Sequence, residues 1–292
     1  MKALLSGLIL LVLSVTGPAA AADRIQVVAS FSILGDMVRQ VTGDLAEVTT
    51  IVGPDADAHV YEPSTSDAKA VAGADVIFVN GLGFETWSSA LIETSGGDAQ
   101  VFVATEGVEP LLVDGEIDPH AWNALTNGMI YVRNIAAGMA KVDAANAATY
   151  SANADAYVEQ LGKVHDNAVS EFSALPDERR TVVTAHDAFG YLEQAYGLTF
   201  LAPVGIDTDA EPSASDLANL IDHLNETGAG ALFVENITSP ALVEQISRET
   251  GLEIGGRLFS DALSEKGGPA TSYVAMFEHN LRALITALQS GS

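Results

Sequence analysis

The chain has 292 residues, enough for two ordinary domains once a leader is removed. Its 39 acidic residues outnumber 13 basic ones, giving a formal net charge of −26; such a surface repels nucleic acid and anionic lipid and draws cations from a distance. The sequence holds no cysteine, which excludes disulfides and thiolate ligands, so a metal site here must be built from histidine and carboxylates.

In chain order, Lys2 precedes an apolar run over 4–15, broken only by Ser6, Gly7 and Ser14. Gly17-Pro18-Ala19-Ala20-Ala21-Ala22 follows, ahead of Asp23. A basic start, a short apolar stretch and small residues at the end predict a secretory signal peptide over 1–22. The run is too short to span a bilayer, which takes roughly 20 apolar residues. The expected location is the periplasm, free in solution, because no cysteine is present to carry a lipid.

Beyond the leader, short apolar runs alternate with helical patterns. Strands are predicted at 25–31, 48–52, 76–80 and 101–104, and again at 181–185, 199–203, 231–235 and 253–259. Helical patterns fall between them, at 33–42, 189–196, 213–225 and 240–250. This rhythm predicts parallel α/β structure. The stretch 144–173 differs, with no proline and only Gly162. Asp143 is placed to cap its start and Pro176 to stop it. It predicts one helix of about 30 residues, roughly 45 Å long. The expected division is an N-terminal α/β lobe over 23–143, a linking helix over 144–175 and a C-terminal α/β lobe over 176–292. No sequence repeat marks the lobes as duplicates.

Six histidines occur, at 59, 120, 165, 186, 223 and 279. His59 lies in a loop after a strand, within Asp57-Ala58-His59-Val60-Tyr61-Glu62-Pro63. His120 lies in the loop Asp118-Pro119-His120-Ala121-Trp122. His186 directly follows the apolar run 181–185, and Asp261 follows another, in Leu258-Phe259-Ser260-Asp261. Ligands of open α/β sheets bind outside the carboxyl ends of strands. Each residue alone is weak evidence, since a lone histidine is usually a packed or surface residue. Together, His59, His120, His186 and Asp261 make three imidazoles and a carboxylate, a donor set suited to tetrahedral Zn(II), one ion per chain. His165, His223 and His279 fall on separate predicted helices with no partner at helical spacing. Glu235 and Asp187 are candidate hydrogen-bond partners for ligating rings, or else a turn cap and a solvent-facing acid.

These four segments, with Thr184-Ala185-His186-Asp187-Ala188-Phe189-Gly190-Tyr191 and Phe259-Ser260-Asp261-Ala262-Leu263 for the second half, resemble the metal-ligand motifs of the cluster A-I (cluster 9) solute-binding proteins of the ZnuA, TroA and PsaA type. The resemblance covers essentially the whole chain after the leader. Within the family it is most similar to the zinc-binding AztC type. It implies two parallel-sheet α/β lobes joined by one long rigid helix as a C-clamp, with the metal in the interlobe cleft. It also implies delivery to the membrane permease of an ABC importer, a monomer, no enzyme activity, and room for a periplasmic zinc chaperone as a second partner. Manganese carriers of the family have a glutamate where His186 stands, so His186 favours zinc. Many zinc members carry a histidine-rich loop before the second motif. Here 106–117 is short and holds Glu106, Glu109, Asp114 and Glu116 but no histidine, so no second, weaker zinc site is expected.

Three other readings remain open at this point. A manganese- or iron-binding member of the same family would share the fold. A zinc hydrolase would use three histidines with Asp261 as base, although no H-E-x-x-H helix is present. A binder of an organic ligand would need aromatic or arginine anchors, and Trp87 and Trp122 are the only tryptophans. Competition by protons for three imidazoles should weaken metal binding below about pH 6.5, the ordinary histidine value.

Overall fold

The first strand, β1 (Ile25–Phe31), buries the run Val27 to Phe31 on both faces, as a parallel strand covered by helices must. The computed structural model describes residues 24–210, 212–227 and 229–290, so the leader expected over 1–22 lies outside the described residues. After β1 come α1 (Ser32–Thr42), β2 (Ala46–Val52), α2 (Thr65–Ala72), β3 (Val76–Val79), α3 (Ser88–Ser95) and β4 (Gln100–Val103). A two-stranded hairpin, β5 (Leu112–Val113) and β6 (Glu116–Ile117), precedes α4 (Leu125–Val142) and the long α5 (Ala147–Ser173). The second half runs β7 (Thr181–Val183), α6 (Gly190–Tyr196), β8 (Thr199–Leu201), α7 (Ala214–Thr227), β9 (Ala231–Glu235), α8 (Ala241–Thr250), β10 (Ile254–Leu258) and α9 (Tyr273–Ser290).

Two parallel four-stranded sheets result, ordered β2-β1-β3-β4 and β10-β9-β7-β8. Counted from the first strand of each half, both follow the order second, first, third, fourth. The lobes therefore share one topology, which the sequence did not reveal because no residue pattern repeats between them.

Helix α5 links the lobes. Its buried residues Tyr150, Ala154, Tyr157, Leu161, Val164, Ala168 and Phe172 recur every three or four positions, a single apolar stripe along 27 residues. At 1.5 Å per residue it is roughly 40 Å long. It packs on α1 and α4 from the first half and on α6 and α9 from the second. One continuous apolar core runs from Val27 to Leu288 through both lobes, and a smaller one around Val183, Leu232, Val243 and Ile246 sits within the second. Gly128 on α4 lets Tyr273 of α9 come close: a Cβ there would meet the Tyr273 ring within 3 Å. The Tyr273 hydroxyl then reaches the Trp122 carbonyl.

Two local expectations are corrected. Asp143 does not cap α5 with its side chain. It ends α4, a 3₁₀ turn over Ala144–Asn146 intervenes, and its carboxylate instead accepts from Asn146 Nδ2 and the Tyr150 hydroxyl, both at 2.7 Å. The strand expected over 181–185 stops at Val183, because the Ala185 and His186 amides turn to the Glu235 carboxylate at 2.9 and 3.0 Å. Among the described residues no helix is long and apolar enough to cross a membrane.

Candidate metal centre

Each of the four sequence-predicted residues follows the carboxyl end of a strand. His59 comes after β2, His120 after β4 and the hairpin, His186 three residues after β7, and Asp261 three after β10. The structure brings all four together: one donor atom from each lies within 4.8 Å of the others. Nε2 of His59, His120 and His186 lies 3.3, 3.7 and 3.2 Å from Asp261 Oδ2, and the Nε2 atoms of His59 and His120 are 3.2 Å apart. His120, His186 and Asp261 are wholly buried, and His59 is 9 % exposed.

The outward nitrogens settle what the inward ones offer. Nδ1 of His59 faces Asp207 at 3.1 Å, that of His120 faces Asp118 at 2.7 Å, and that of His186 faces Glu235 at 2.7 Å. A ring nitrogen that close to a carboxylate carries the proton, so each neutral ring is assigned a bare Nε2 lone pair aimed at the centre. With the rings neutral, three lone pairs and the Asp261 carboxylate converge with no donor among them. Both Asp261 oxygens and both His186 ring nitrogens are buried without a well-aligned hydrogen bond. Buried acceptors in that state are costly unless protons or a metal ion sit among them. The donor set fits a small divalent ion with nitrogen and oxygen ligands.

Two of the histidines are set by one device. In Asp57-Ala58-His59 and Asp118-Pro119-His120, the aspartate two residues upstream accepts the histidine amide at 2.9 Å. Such side-chain turns fix the backbone at each histidine. Asp118 also holds its ring, whereas the other Asp57 oxygen accepts the Thr208 hydroxyl from the second lobe at 2.6 Å. Both tryptophans tie the cluster's segments down: Trp87 Nε1 donates to the Ala58 carbonyl at 2.9 Å, and Trp122 Nε1 to the Ser260 carbonyl at 2.7 Å.

Of the two acids singled out in the sequence, Glu235 contacts the His186 ring and Asp187 forms no ion pair with a ring of the cluster. Asp118 and Asp207 were missed as ring partners. The doubled D-x-H pattern was a signal for Asp118; nothing in the sequence marks Asp207, which meets His59 only through the fold. His165 bonds to the Tyr196 hydroxyl, His279 to the Arg257 carbonyl, and His223 is exposed on α7. None joins the cluster. The segment expected as a loop over 106–117 closes partly into the β5–β6 hairpin, turned by Asp114 and Gly115 at positive φ.

Electrostatics revise the expected pH range. Burial disfavours charge on His120, but Asp261 beside it and the bond to Asp118 outweigh this and push its pKa up to about 9. Burial is likewise outweighed at His186, where Glu235 and Asp261 raise the pKa well above its ordinary value. Burial would raise Asp261, yet the charges of His120 and His186 hold it well below the usual carboxylate range. In the metal-free protein these two rings are therefore protonated at neutral pH, and a metal must displace their protons. The sign is that of a raised base. Proton stabilisation of the metal-free fold is full below the ordinary 6.5 and lost as pH rises through about 9. Metal affinity should accordingly climb from pH 6 up to about 9, not level off above 6.5, with about two protons released per ion at pH 7. Calorimetry in buffers of different ionisation enthalpy counts the protons; a count of zero would refute the assignment.

Comparison with known proteins agrees with this geometry. The family described as ZnuA, zinc-uptake complex component A periplasmic, matches residues 27–287. The manganese-binding lipoprotein MntA of Halalkalibacterium halodurans is 33 % identical over 274 residues, 94 % of this chain and 91 % of the relative. The iron ABC transporter substrate-binding lipoprotein MtsA of Streptococcus pyogenes serotype M1 is 34 % identical, covering 96 % of this chain and 94 % of the relative. Among solved structures, the periplasmic zinc binding protein TroA from Treponema pallidum superposes with a TM-score of 0.87 at 29 % identity, over 91 % of this chain and 99 % of that one. The manganese-bound periplasmic metal binding protein from Candidatus Liberibacter asiaticus gives 0.83 at 30 %, over 91 % and 100 %. Two parallel α/β lobes, a linking helix, a His₃Asp cluster in the cleft and these likenesses lead to one conclusion: the chain belongs to the ZnuA family of periplasmic metal-binding proteins that serve ABC transporters.

Proposed function

We propose that this protein binds one Zn(II) through His59, His120, His186 and Asp261 and delivers it to the permease of an ABC importer. The observation that carries the metal assignment is the donor set: three imidazoles converge with a single carboxylate, and imidazole suits zinc better than manganese. In this reading the lobes span 23–143 and 176–292, with 144–175 between them. Four protein donors close the coordination sphere, so no metal-bound water is activated and no hydrolysis follows. The chain acts as a monomer in the periplasm, with a zinc chaperone as a further partner in the manner of the AztC type. Several relatives are named lipoproteins, while this sequence holds no cysteine.

The second reading is manganese or iron, favoured by the names of MntA and MtsA. Elemental analysis of protein purified without a metal column separates them. One zinc per chain is expected, retained against a large excess of manganese. Displacement of zinc by equimolar manganese or ferrous iron would overturn the zinc assignment.

A further inference from the structure

The three rings of the cluster are not held alike. His120 is keyed by Asp118, two residues away, through both its amide and its Nδ1. His186 is keyed within its own lobe by Glu235 at the end of β9, which takes its amide on one oxygen and faces its Nδ1 with the other. His59 alone has its outward nitrogen keyed from the opposite lobe, by Asp207, on the chain after β8. The next residue, Thr208, donates its hydroxyl to Asp57, whose other oxygen holds the His59 amide. Backbone and ring of His59 are thus both tied to residues 207–208.

This tie is one of several across the cleft. Trp122 to Ser260, Asn123 Nδ2 to the Ala188 carbonyl, and the Leu263 amide to Ser32 Oγ are formed by buried groups, while Asp55 accepts from Asn236 Nδ2 and the Glu265 amide in exposed surroundings; among these bonds only that of Asp207 reaches the outward nitrogen of a cluster ring. The Asp207 side chain is 56 % exposed. Thr208 and Asp57, with Val204, Ile237 and His186, line a cavity of about 360 Å³ that reaches a ligand from the second-lobe surface. Asp207 thus stands exposed beside the cluster, and Thr208 lines the adjoining cavity.

We propose that Asp207 and Thr208 are positioning residues that hold His59 in its ligating orientation across the cleft, so that parting of this clasp is the step that frees the metal. The inference rests on the proposed metal site. A carboxylate on the outward nitrogen of a ligating ring fixes its tautomer and direction, and losing such a partner typically costs 10–100-fold in metal affinity. Because the clasp joins the two lobes across the cleft, its loss should fall on dissociation and leave capture nearly unchanged.

The test is stopped-flow zinc release into excess chelator, paired with association rates and melting of the metal-free protein. Asp207→Ala should release zinc about tenfold faster or more, with association altered less than twofold and an unchanged metal-free melting temperature. Asp207→Glu should restore slow release, and Thr208→Val should speed it to a smaller degree. Asp209→Ala removes the same charge from an exposed neighbour and should leave the rate as it was. Release from Asp207→Ala at the wild-type rate, or equal acceleration by Asp209→Ala, would overturn the clasp while leaving the metal site standing. A wild-type chain that takes up no zinc would overturn both.

Discussion

Alanine at His120 or at His186 should lower zinc affinity on the order of 10²–10³-fold. A structural zinc site of four protein ligands is worth about 10–16 kcal/mol at neutral pH, so one ligand carries roughly a quarter of that. The loss is not softened by solvent. His120 and His186 are wholly buried, and their removal leaves Asp118 and Glu235 facing a cavity with no ring to hold. His223→Ala is the matched control, because that ring is exposed on α7, away from the centre, and its affinity should equal wild type. Competition against a chromogenic chelator measures all three. A site variant that matched wild-type affinity would remove that residue from the ligand set.

Saturating zinc should raise the melting temperature by roughly 8–16 °C. An ion present at a thousand times its dissociation constant adds about 4 kcal/mol to the native state, and each kcal/mol is worth about 2–4 °C in a chain of this size. The full effect needs an unfolded chain with no comparable site. That condition holds here, since the donors are spread from position 59 to 261 and converge only after both sheets form. His120→Ala should lose most of the shift. Scanning calorimetry with and without metal decides it; an unchanged transition would mean that zinc does not join the lobes.

The cluster of four was legible because the sequence left few alternatives. Without cysteine, metal chemistry falls to six histidines and many acids; His186 and Asp261 stood just beyond predicted strands, and His59 and His120 in acid-bearing loops that follow strands. The alternation of strands and helices likewise carried both sheets, since buried parallel strands are continuous apolar runs. What surrounds the ligands was less legible. Asp118 announced itself through the doubled D-x-H spacing. Glu235 was singled out by its place at a strand end although it lies 49 residues from the ring it holds, whereas Asp207 lies 148 from His59, so only the tertiary fold could pair those two. Asp143 misled because an aspartate before a helical pattern has several local partners to choose from, and Tyr150 and Asn146 outcompeted the helix amides. The common strand order of the lobes was hidden for a different reason: topology is fixed by where apolar runs fall, and unrelated residues can fall in the same order.

The two indoles carry a practical consequence. They are the only tryptophans in the sequence, and each donates its ring N–H to the carbonyl preceding a proposed metal donor, Ala58 before His59 and Ser260 before Asp261. The Trp122 ring also lies edge-on to that of His120 with 5.4 Å between centroids. Excited at the red edge of the indole band, where tyrosine does not absorb, the chain therefore emits from two fluorophores that both border the proposed site. Metal uptake is expected to appear as a change in intensity or wavelength without any label, and substituting either indole by phenylalanine leaves the other as the reporter.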